Sequence, residues 1–128
     1  MRVLIADDQK GVGTALSALV ESCGHEVVQV VASGLEAIQA YSRLKPDVVL
    51  LDYSMPRLNG ATACRMILSK DPKAKIIIVS AIASALDLRD SGAVAVLSKP
   101  VDLDKLYGAL HDAGSRRRDP GAEKPEKK

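Results

Sequence analysis

The sequence predicts an α/β fold in which five helices cover both faces of a doubly wound, five-stranded parallel sheet. Short runs of Val, Ile and Leu, typical of strands buried on both faces, alternate along the chain with segments of helical periodicity. Such alternation favours a parallel sheet with right-handed crossovers. The apolar run at 48–51 ends in Asp52. A carboxylate at the C-terminal end of a buried strand lies at the sheet edge where open α/β folds bind ligands.

The elements of the first half follow from hydrophobic periodicity and from residues that begin or end helices. In order, they are a strand over 2–6, a helix over 12–22, a strand over 26–32, a helix over 34–44 and the strand that ends in Asp52. Gly24 follows the first helix and suits its C-terminal cap, because glycine readily adopts the left-handed conformation. Ser33 precedes the second helix and suits its N-terminal cap, since its hydroxyl can accept a hydrogen bond from the first turn.

The second half continues the alternation and then changes character. In order, it contains a helix over about 60–69, a strand over 75–79, a weakly periodic helix over 83–91, a strand over 94–97 and a helix over 102–113. The periodicity of the last helix directs Leu103, Leu106 and Leu110 inward. Residues 1–114 are therefore predicted to form one domain. Residues 115–128 are rich in charge and poor in apolar side chains, which predicts a disordered C-terminal tail.

Composition excludes several classes of protein. With 128 residues, 47% hydrophobic and 27% charged, the chain is long enough for one soluble domain with a core. It lacks a long apolar segment and a signal peptide, so we expect a cytoplasmic protein without membrane insertion. Cys23 and Cys64 match no metal-binding spacing and are predicted to be small buried residues in a reducing compartment. Trp and Phe are absent, so direct binding to DNA is not expected.

Polar side chains stand at the C-terminal ends of the predicted strands. Asp7 and Asp8 follow the first strand, Asp52 ends the third, Ser80 ends the fourth and Lys99 follows the fifth. Because the carboxyl ends of parallel strands share one edge of the sheet, we expect these groups to meet in one crevice. Two like charges about 4 Å apart repel by roughly 4 kcal/mol at an effective dielectric constant of about 20. Three carboxylates should therefore bind a cation or shift their pKa values upward, and oxygen ligands suit Mg²⁺.

At these positions the chain resembles the receiver domain of bacterial two-component response regulators, in its single-domain form. The matching motifs, in chain order, are Asp7-Asp8, the segment from Leu51 to Pro56 with Asn59-Gly60, Ser80-Ala81 and Lys99-Pro100. The resemblance covers residues 1–113. It implies the flavodoxin-like strand order 2-1-3-4-5, for which this family is itself a known example, so the order is carried over from the family and not worked out from the residues.

The resemblance implies phosphoryl chemistry at Asp52. As the nucleophile, Asp52 would accept a phosphoryl group from the phosphohistidine of a sensor histidine kinase or a histidine phosphotransfer protein. Mg²⁺ would be bound directly by Asp8, by Asp52 and by the backbone carbonyl of Ser54. Asp7 would act mainly through a coordinated water. The implied cofactor is therefore Mg²⁺, held by oxygen ligands alone.

Two further groups would contact the phosphoryl group. Lys99 would pair with Asp52 and later with a phosphoryl oxygen, and Ser80 would hydrogen-bond another oxygen. The Lys99-Pro100 bond would be cis, which turns the chain and directs the lysine. The implied protein is a phosphoacceptor that catalyses only its own phosphorylation and dephosphorylation. It would signal through altered binding to a downstream protein target.

The sequence departs from the family pattern at positions on the face through which the family usually signals to its partners. Val96 stands three residues before the lysine, where the family usually has Tyr or Phe, so a switch that depends on a moving ring is not available. The segment between Ser80 and Gly92 is shorter than usual by nearly a turn, which predicts a short or irregular fourth helix. Ile82 would flank the phosphoryl group together with Ser54, and its branched side chain would hinder an attacking water. We therefore expect slow self-dephosphorylation.

Three alternatives compete with this interpretation. A dinucleotide-binding site is disfavoured because the glycine pair in 11–13 is followed by Leu16 at the third glycine position. A Mg²⁺-dependent phosphatase of the haloacid dehalogenase type also uses an aspartate nucleophile. It would need an Asp-x-Asp motif on the first strand, whereas residues 7–9 read Asp-Asp-Gln. An interaction module that kept the fold but works without phosphorylation is the third alternative, and Val96 favours it.

Overall fold

The structure is a computed structural model that describes residues 1–81 and 91–115. The described elements, in chain order, are β1 (Arg2–Ala6), α1 (Lys10–Ser22), β2 (Glu26–Val31), α2 (Gly34–Leu44), β3 (Val48–Asp52), α3 (Gly60–Lys70), β4 (Ile76–Ser80), β5 (Ala95–Ser98) and α4 (Leu103–Ser115). The predicted boundaries of these elements agree with the structure to within two residues. The predicted helix over 83–91 lies, except for its last residue, outside the described residues, as do Ile82 and the predicted tail beyond residue 115.

All five strands are parallel and form one sheet in the order β2-β1-β3-β4-β5. The predicted doubly wound, flavodoxin-like fold and its strand order are therefore confirmed. β3 and β4 lie inside the sheet and every residue of both strands is buried, which explains why their sequences are continuous apolar runs. β2 and β5 form the edges and keep exposed residues. The C-terminal ends of β1, β3, β4 and β5 consequently lie side by side.

Four helices within the described residues cover the two faces of the sheet, so the core has two halves. The half beneath α2 and α3 includes Leu4, Leu51, Ile78, Ile38 and Ile67. The half beneath α1 and α4 includes Val3, Leu50, Ile77, Leu16 and Leu110. Because successive strand residues point to opposite faces, the neighbours Leu50 and Leu51 contribute to different halves. None of these described helices has the length and apolar character needed to cross a lipid bilayer.

Residues at the helix ends explain where α1 stops and where α2 starts. Gly24 has a φ of 88°, in the left-handed region, and its backbone N–H donates to the carbonyl of Glu21 at 3.0 Å. The hydroxyl of Ser33 accepts a hydrogen bond from the backbone N–H of Glu36 at 3.1 Å. The carboxylate of Glu36 in turn accepts from the backbone N–H of Ala32 at 2.9 Å. These two reciprocal hydrogen bonds form a capping box at the start of α2. Both predicted caps are therefore confirmed, Gly24 by its left-handed φ and Ser33 by the capping box.

Two side chains are less buried than the sequence predicts. Leu106 and Leu110 of α4 are fully buried, but Leu103 is 43% exposed, so its predicted inward orientation was wrong. Leu103 is the first residue of the helix, and helical side chains tilt toward the N-terminus, so it extends past the end of the packed face. Cys64 is buried as predicted, whereas Cys23 is only partly buried because it follows the last turn of α1.

Candidate functional site

Asp52 is the last residue of β3, and burial dominates its surroundings. The four residues before it are apolar and buried, and Asp52 itself is only 3% exposed. The backbone N–H of Ser54, in the loop after β3, faces the Asp52 carboxylate and lowers its pKa. A buried carboxylate is unfavourable unless hydrogen bonds and opposite charges stabilise it. The charged groups around Asp52 therefore determine whether its carboxylate is ionised and what it can bind.

The acidic pair after β1 lies beside Asp52. Asp7 is buried, and its Oδ1 accepts a hydrogen bond from the backbone N–H of Gln9 at 2.8 Å. Asp8, the next residue, is exposed. Each of Asp7, Asp8 and Asp52 offers a carboxylate oxygen, and these oxygens all lie within 4.8 Å of one another. The structure therefore brings the three acids together, as their places at the strand ends predicted.

Lys99 reaches the same cluster from the C-terminal end of β5. Its Nζ lies 2.9 Å from Oδ1 of Asp52 and 3.4 Å from Oδ2 of Asp7. The backbone N–H of Lys99 donates to the carbonyl of Ser80 at 2.9 Å, which fixes where the lysine side chain leaves the sheet. The Lys99-Pro100 peptide bond is cis, as the resemblance implied.

Burial and charge shift the pKa values of the Asp52–Lys99 pair. Burial is the largest influence on the pKa of Asp52 and raises it, and the charge of Asp7 raises it further. Lys99 and the N–H of Ser54 lower that pKa, but the net shift is upward. Burial lowers the pKa of Lys99, but the carboxylates of Asp52 and Asp7 together raise it above its ordinary value. Asp52 is therefore harder to ionise than a free aspartate, whereas Lys99 holds its proton more firmly than a free lysine.

The cluster has the ligands and the charge that a divalent cation requires. Three carboxylates and one ammonium leave a formal charge of −2. Oδ1 of Asp52 is buried and forms an ion pair with Lys99, but among the described residues it accepts no hydrogen bond of regular geometry. A buried carboxylate oxygen with spare acceptor capacity, next to two more acids, suits a hard cation with oxygen ligands. The residues present therefore fit Mg²⁺.

The backbone places the remaining predicted site residues. Asp52 pairs with Val79 across the sheet, so Ser80 at the end of β4 lies one residue further toward the edge that carries the cluster. Ser80 is buried, whereas Ser54 is exposed in the loop after β3. Ser80 ends the strand next to β3, and Ser54 follows Asp52 by two residues. Their contacts with a cation or a phosphoryl group remain predictions.

Gly60, the first residue of α3, packs against the end of β3 and has a role at the site that its residue type does not reveal. A Cβ on Gly60 would lie 2.5 Å from the carbonyl oxygen of Asp52 and 2.9 Å from Cα of Tyr53. The backbone N–H of Gly60 donates to the carbonyl of Tyr53 at 2.8 Å, and Asn59 caps the helix by accepting from the N–H of Thr62 at 2.9 Å. Glycine therefore lets α3 start directly against the end of β3. An Asn-Gly pair favours a turn, but residue type alone does not indicate this close approach.

The chain resembles known proteins over most of its length. The family model of the response regulator receiver domain matches residues 3–111. The chain belongs to this family. The chemotaxis protein CheY of Listeria monocytogenes is 36% identical to this receiver domain over 116 residues, which cover 88% of this chain and 98% of that protein. The chemotaxis protein CheY of Thermotoga maritima is 36% identical over 113 residues, which cover 86% of this chain and 94% of that protein.

Solved structures of receiver domains share the same fold. A structure described as the CheX-CheY-BeF3-Mg complex from Borrelia burgdorferi has a TM-score of 0.85 and 28% identity, over 91% of this chain and 90% of that chain. A two-component response regulator of the LuxR family from Aurantimonas sp. has a TM-score of 0.83 and 30% identity, over 91% of this chain and 86% of that chain. The resemblance drawn from the motifs is therefore confirmed. Membership of this family favours a receiver over a phosphatase of the haloacid dehalogenase type.

Proposed function

We propose that this receiver domain is a response regulator that accepts a phosphoryl group on Asp52. The donor is the phosphohistidine of a sensor histidine kinase or of a histidine phosphotransfer protein. As an oxygen of Asp52 forms a bond to phosphorus, the phosphorus–nitrogen bond of the donor breaks and the released imidazole takes up a proton. The observation that supports this proposal most is the Asp52–Lys99 ion pair at 2.9 Å beside two further carboxylates.

The acidic residues would position the reaction and hold the cation. Phosphoryl transfer needs positioning and charge neutralisation more than it needs covalent help. Asp8, Asp52 and the backbone carbonyl of Ser54 would hold Mg²⁺ directly, and Asp7 would hold it through a water. When bound, Mg²⁺ supplies positive charge to the phosphoryl oxygens. The hydrogen bond from the N–H of Gln9 keeps the Asp7 carboxylate in a fixed direction.

Two further side chains would bind the transferred group. Lys99 contacts Asp52 and Asp7, and its raised pKa keeps the ammonium charged for a contact with a phosphoryl oxygen. The hydroxyl of Ser80, at the end of the neighbouring strand, would donate to another phosphoryl oxygen. Phosphorylation would therefore change the contacts of Lys99 and Ser80 at the ends of β5 and β4. We infer that this change is the signal that partners detect.

The phosphorylated domain would signal by binding another protein. We expect the chain to be cytoplasmic, to catalyse only its own phosphorylation and dephosphorylation, and to bind neither DNA nor membranes directly. The Borrelia structure, which holds CheX and CheY together, supports a protein as the partner. Val96 on β5 is 42% exposed, at a position where the family usually has an aromatic ring. The surface that a partner contacts would therefore differ from the usual one.

A small phosphodonor tests this proposal directly. The protein is incubated with the donor and Mg²⁺, and its intact mass is measured. We expect the parent protein to gain one phosphoryl group and Asp52→Asn to gain none. Asp112→Asn is the matched control, because Asp112 is exposed on α4, and it should behave as the parent does. No gain in the parent, or an equal gain in Asp52→Asn, would contradict the proposal.

A phosphorylation-independent interaction module is the second candidate function, and the exposed Val96 favours it. Without a ring at this position, one familiar route from Asp52 to the binding surface is missing. The two candidates differ in how a partner protein responds to the phosphodonor. Binding that changes with the donor in the parent, but not in Asp52→Asn, supports the response regulator. Binding that is the same in both proteins, with and without the donor, supports the module.

A further inference from the structure

The loop between β3 and α3, residues 53–59, brings Ser54 to Asp52, so the position of this loop governs the site. Its backbone hydrogen bonds include Met55 to Tyr53 at 3.2 Å, Leu58 to Pro56 at 2.7 Å and Gly60 to Tyr53 at 2.8 Å. These contacts close the loop on itself. Arg57 within it has a φ of 69°, in the left-handed region. A residue other than glycine keeps a left-handed conformation only where its surroundings fix it. The loop therefore needs packing contacts with another part of the chain.

The support comes from the first residue of α2, Gly34. A Cβ on Gly34 would lie 2.9 Å from the carbonyl oxygen of Leu58, 3.1 Å from its Cδ2 and 3.2 Å from its Cβ. Gly34 does not adopt the left-handed conformation, so its backbone would accept another residue. Glycine inside a helix is less stable than alanine by about 0.5–1 kcal/mol. What glycine offers at this position is the space that Leu58 occupies.

The contact surface for Leu58 is itself tied to the acidic cluster. The carboxylate of Glu36 accepts a hydrogen bond from the N–H of Ala32 and so fixes the connection from β2 to α2. The backbone N–H of Asp7 donates to the carbonyl of Val31 at 3.0 Å, which joins the end of β2 to the acidic pair. The start of α2 is therefore held in place relative to Asp7. A loop that packs on α2 is therefore also held in place relative to Asp7.

We propose that Gly34 and Leu58 are positioning residues for the phosphoryl-transfer site. Leu58, packed against Gly34, holds the loop between β3 and α3 so that the backbone of Ser54 meets Asp52 and the bound cation. This inference rests on the proposed function and extends the site to α2. Helix α2, which contributes no cation ligand itself, would then determine the position of the Ser54 backbone, which does.

Gly34→Ala tests this contact by adding one methyl group against the Leu58 backbone. Gly11→Ala is the matched control, because Gly11 also lies in the first turn of a helix and a Cβ there would meet nothing within 4 Å. The readouts are the amide resonance of Ser54 in metal-free protein and the dissociation constant for Mg²⁺. In Gly34→Ala we expect the Ser54 resonance to move and the affinity for Mg²⁺ to fall about tenfold. Gly11→Ala should leave both unchanged.

Leu58→Ala removes the packed side chain without adding atoms, so it serves also if Gly34→Ala does not fold. We expect its affinity for Mg²⁺ to fall about threefold, since it loosens the loop without displacing the backbone. Leu58→Met keeps the length of the side chain and should restore most of that affinity. A purely structural role would lower the melting temperature of both Leu58 variants and leave the affinity of the folded protein unchanged.

The inference and the proposed function fail in different ways. An unmoved Ser54 resonance in both Gly34→Ala and Leu58→Ala, with parental affinity for Mg²⁺, would overturn the inference. Phosphate uptake by the parent protein tests the proposed function and does not depend on either variant. If the parent took up no phosphate while the Ser54 resonance moved in Gly34→Ala, the function would be wrong and the positioning contact supported. If the parent bound no Mg²⁺, the Ser54 resonance would decide the inference.

Discussion

An aspartate stands at each end of β3, and the two carboxylates have opposite surroundings. Asp47 precedes the strand, is exposed, and accepts a hydrogen bond on Oδ2 from the backbone N–H of Arg2 at 2.7 Å. Asp52 ends the strand, is buried, and forms an ion pair with Lys99 beside two further acids. A backbone donor and exposure to solvent satisfy the first carboxylate. The second keeps spare acceptor capacity, which a cation or a phosphoryl group can use.

This difference separates a stabilising end of β3 from the end at which we propose phosphoryl transfer. The hydrogen bond at Asp47 joins the start of β3 to the start of β1. The cluster at Asp52 gathers like charges in a buried place, an arrangement that is unfavourable for folding until a cation binds. Proteins often tolerate such local destabilisation at functional sites. The two ends of β3 should therefore respond differently to substitution.

The largest difference is expected from crowding at the C-terminal end of β3. Gly60→Ala would place a Cβ 2.5 Å from the Asp52 carbonyl oxygen, a backbone atom that cannot rotate away. We expect the free energy of unfolding, measured in urea, to fall by about 3 kcal/mol. Gly108→Ala is the control, because a Cβ there meets nothing within 4 Å, and it should stabilise α4 by about 0.5–1 kcal/mol. Equal stabilities of the two variants would show that the contact relaxes in solution.

The next largest effect is expected from removing the ammonium group of Lys99. Lys99→Met leaves the carboxylates of Asp52 and Asp7 without their ammonium partner, and Lys99 is only 20% exposed. The free energy of unfolding near neutral pH should fall by about 2 kcal/mol. Lys105→Met, at an exposed position on α4, should change it little. Mg²⁺ should stabilise Lys99→Met more than the parent, since the added cation replaces the lost charge.

The pH dependence of Lys99→Met follows from the same charges. Burial raises the pKa of Asp52, and protonation of Asp52 relieves its repulsion with Asp7, so the stability deficit of Lys99→Met should shrink as the pH falls from about 8 to about 5. In the parent, the raised pKa of Lys99 contributes stability that is present below the ordinary lysine range. That contribution is lost as the pH rises through the folded-state pKa. If the stability deficit of Lys99→Met were the same at about pH 8 and about pH 5, the electrostatic explanation would be contradicted.

Neutralising the two aspartates of β3 should change stability in opposite directions. The raised pKa of Asp52 means that the folded protein disfavours its charge. In metal-free protein near neutral pH, Asp52→Asn should therefore raise the free energy of unfolding by about 1 kcal/mol. Asp47→Asn weakens the hydrogen bond from Arg2 and should lower it by about 0.5 kcal/mol. Urea denaturation of both variants checks this, and changes of the same sign would remove the distinction between the two ends.

The difference between Asp52→Asn and the parent should also depend on pH. A carboxyl group whose folded-state pKa is raised contributes stability that is fully present below its unfolded-state pKa, about 4 for aspartate. That contribution is lost as the pH rises through the folded-state pKa. The parent should thus become less stable relative to Asp52→Asn on moving from acid toward neutral pH in metal-free buffer. Mg²⁺ should reduce the difference because it binds the ionised form, and a pH-independent difference would refute this explanation.

Most of the fold and the acidic cluster could be predicted from the sequence, because both depend on residue type and on position along the chain. Continuous apolar runs identify buried parallel strands, and a polar residue at the end of such a run marks the ligand edge. Asp52, the acidic pair before α1 and Lys99 could therefore be found without coordinates. The strand order came from the family resemblance, since periodicity does not distinguish between the possible orders of five strands.

The contacts that hold the site could not be predicted in this way. Gly60 and Gly34 look like ordinary turn and helix-start residues, because the atoms that a Cβ would meet come from other parts of the chain. The exposure of Leu103 depends on where α4 leaves the packed face, which helical periodicity does not show. The positive φ angles of Arg57 and Lys45 also had no signal in residue type. Arginine and lysine seldom mark left-handed positions, which usually favour glycine.

Lys45 provides the smallest expected effect, at the N-terminal side of β3. It ends α2 with a φ of 47°, and its N–H donates to the carbonyl of Tyr41 at 2.9 Å. Lys45→Gly should raise the free energy of unfolding by about 0.5–1 kcal/mol, because glycine adopts this conformation without steric strain. Its carbonyl, which accepts from the guanidinium of Arg2 at 3.0 Å, is retained. Urea denaturation measures the change.

Lys45→Ala is the control for this prediction, since it removes the side-chain charge and keeps the Cβ that causes the strain. We expect no stabilisation from it, and an equal gain in both variants would show that charge is the cause. Lys45→Gly should also leave the affinity for Mg²⁺ unchanged, because Asp52 lies at the other end of β3. A change in that affinity would mean that the two ends of the strand are coupled, and the separation between structural and chemical ends would then have to be abandoned.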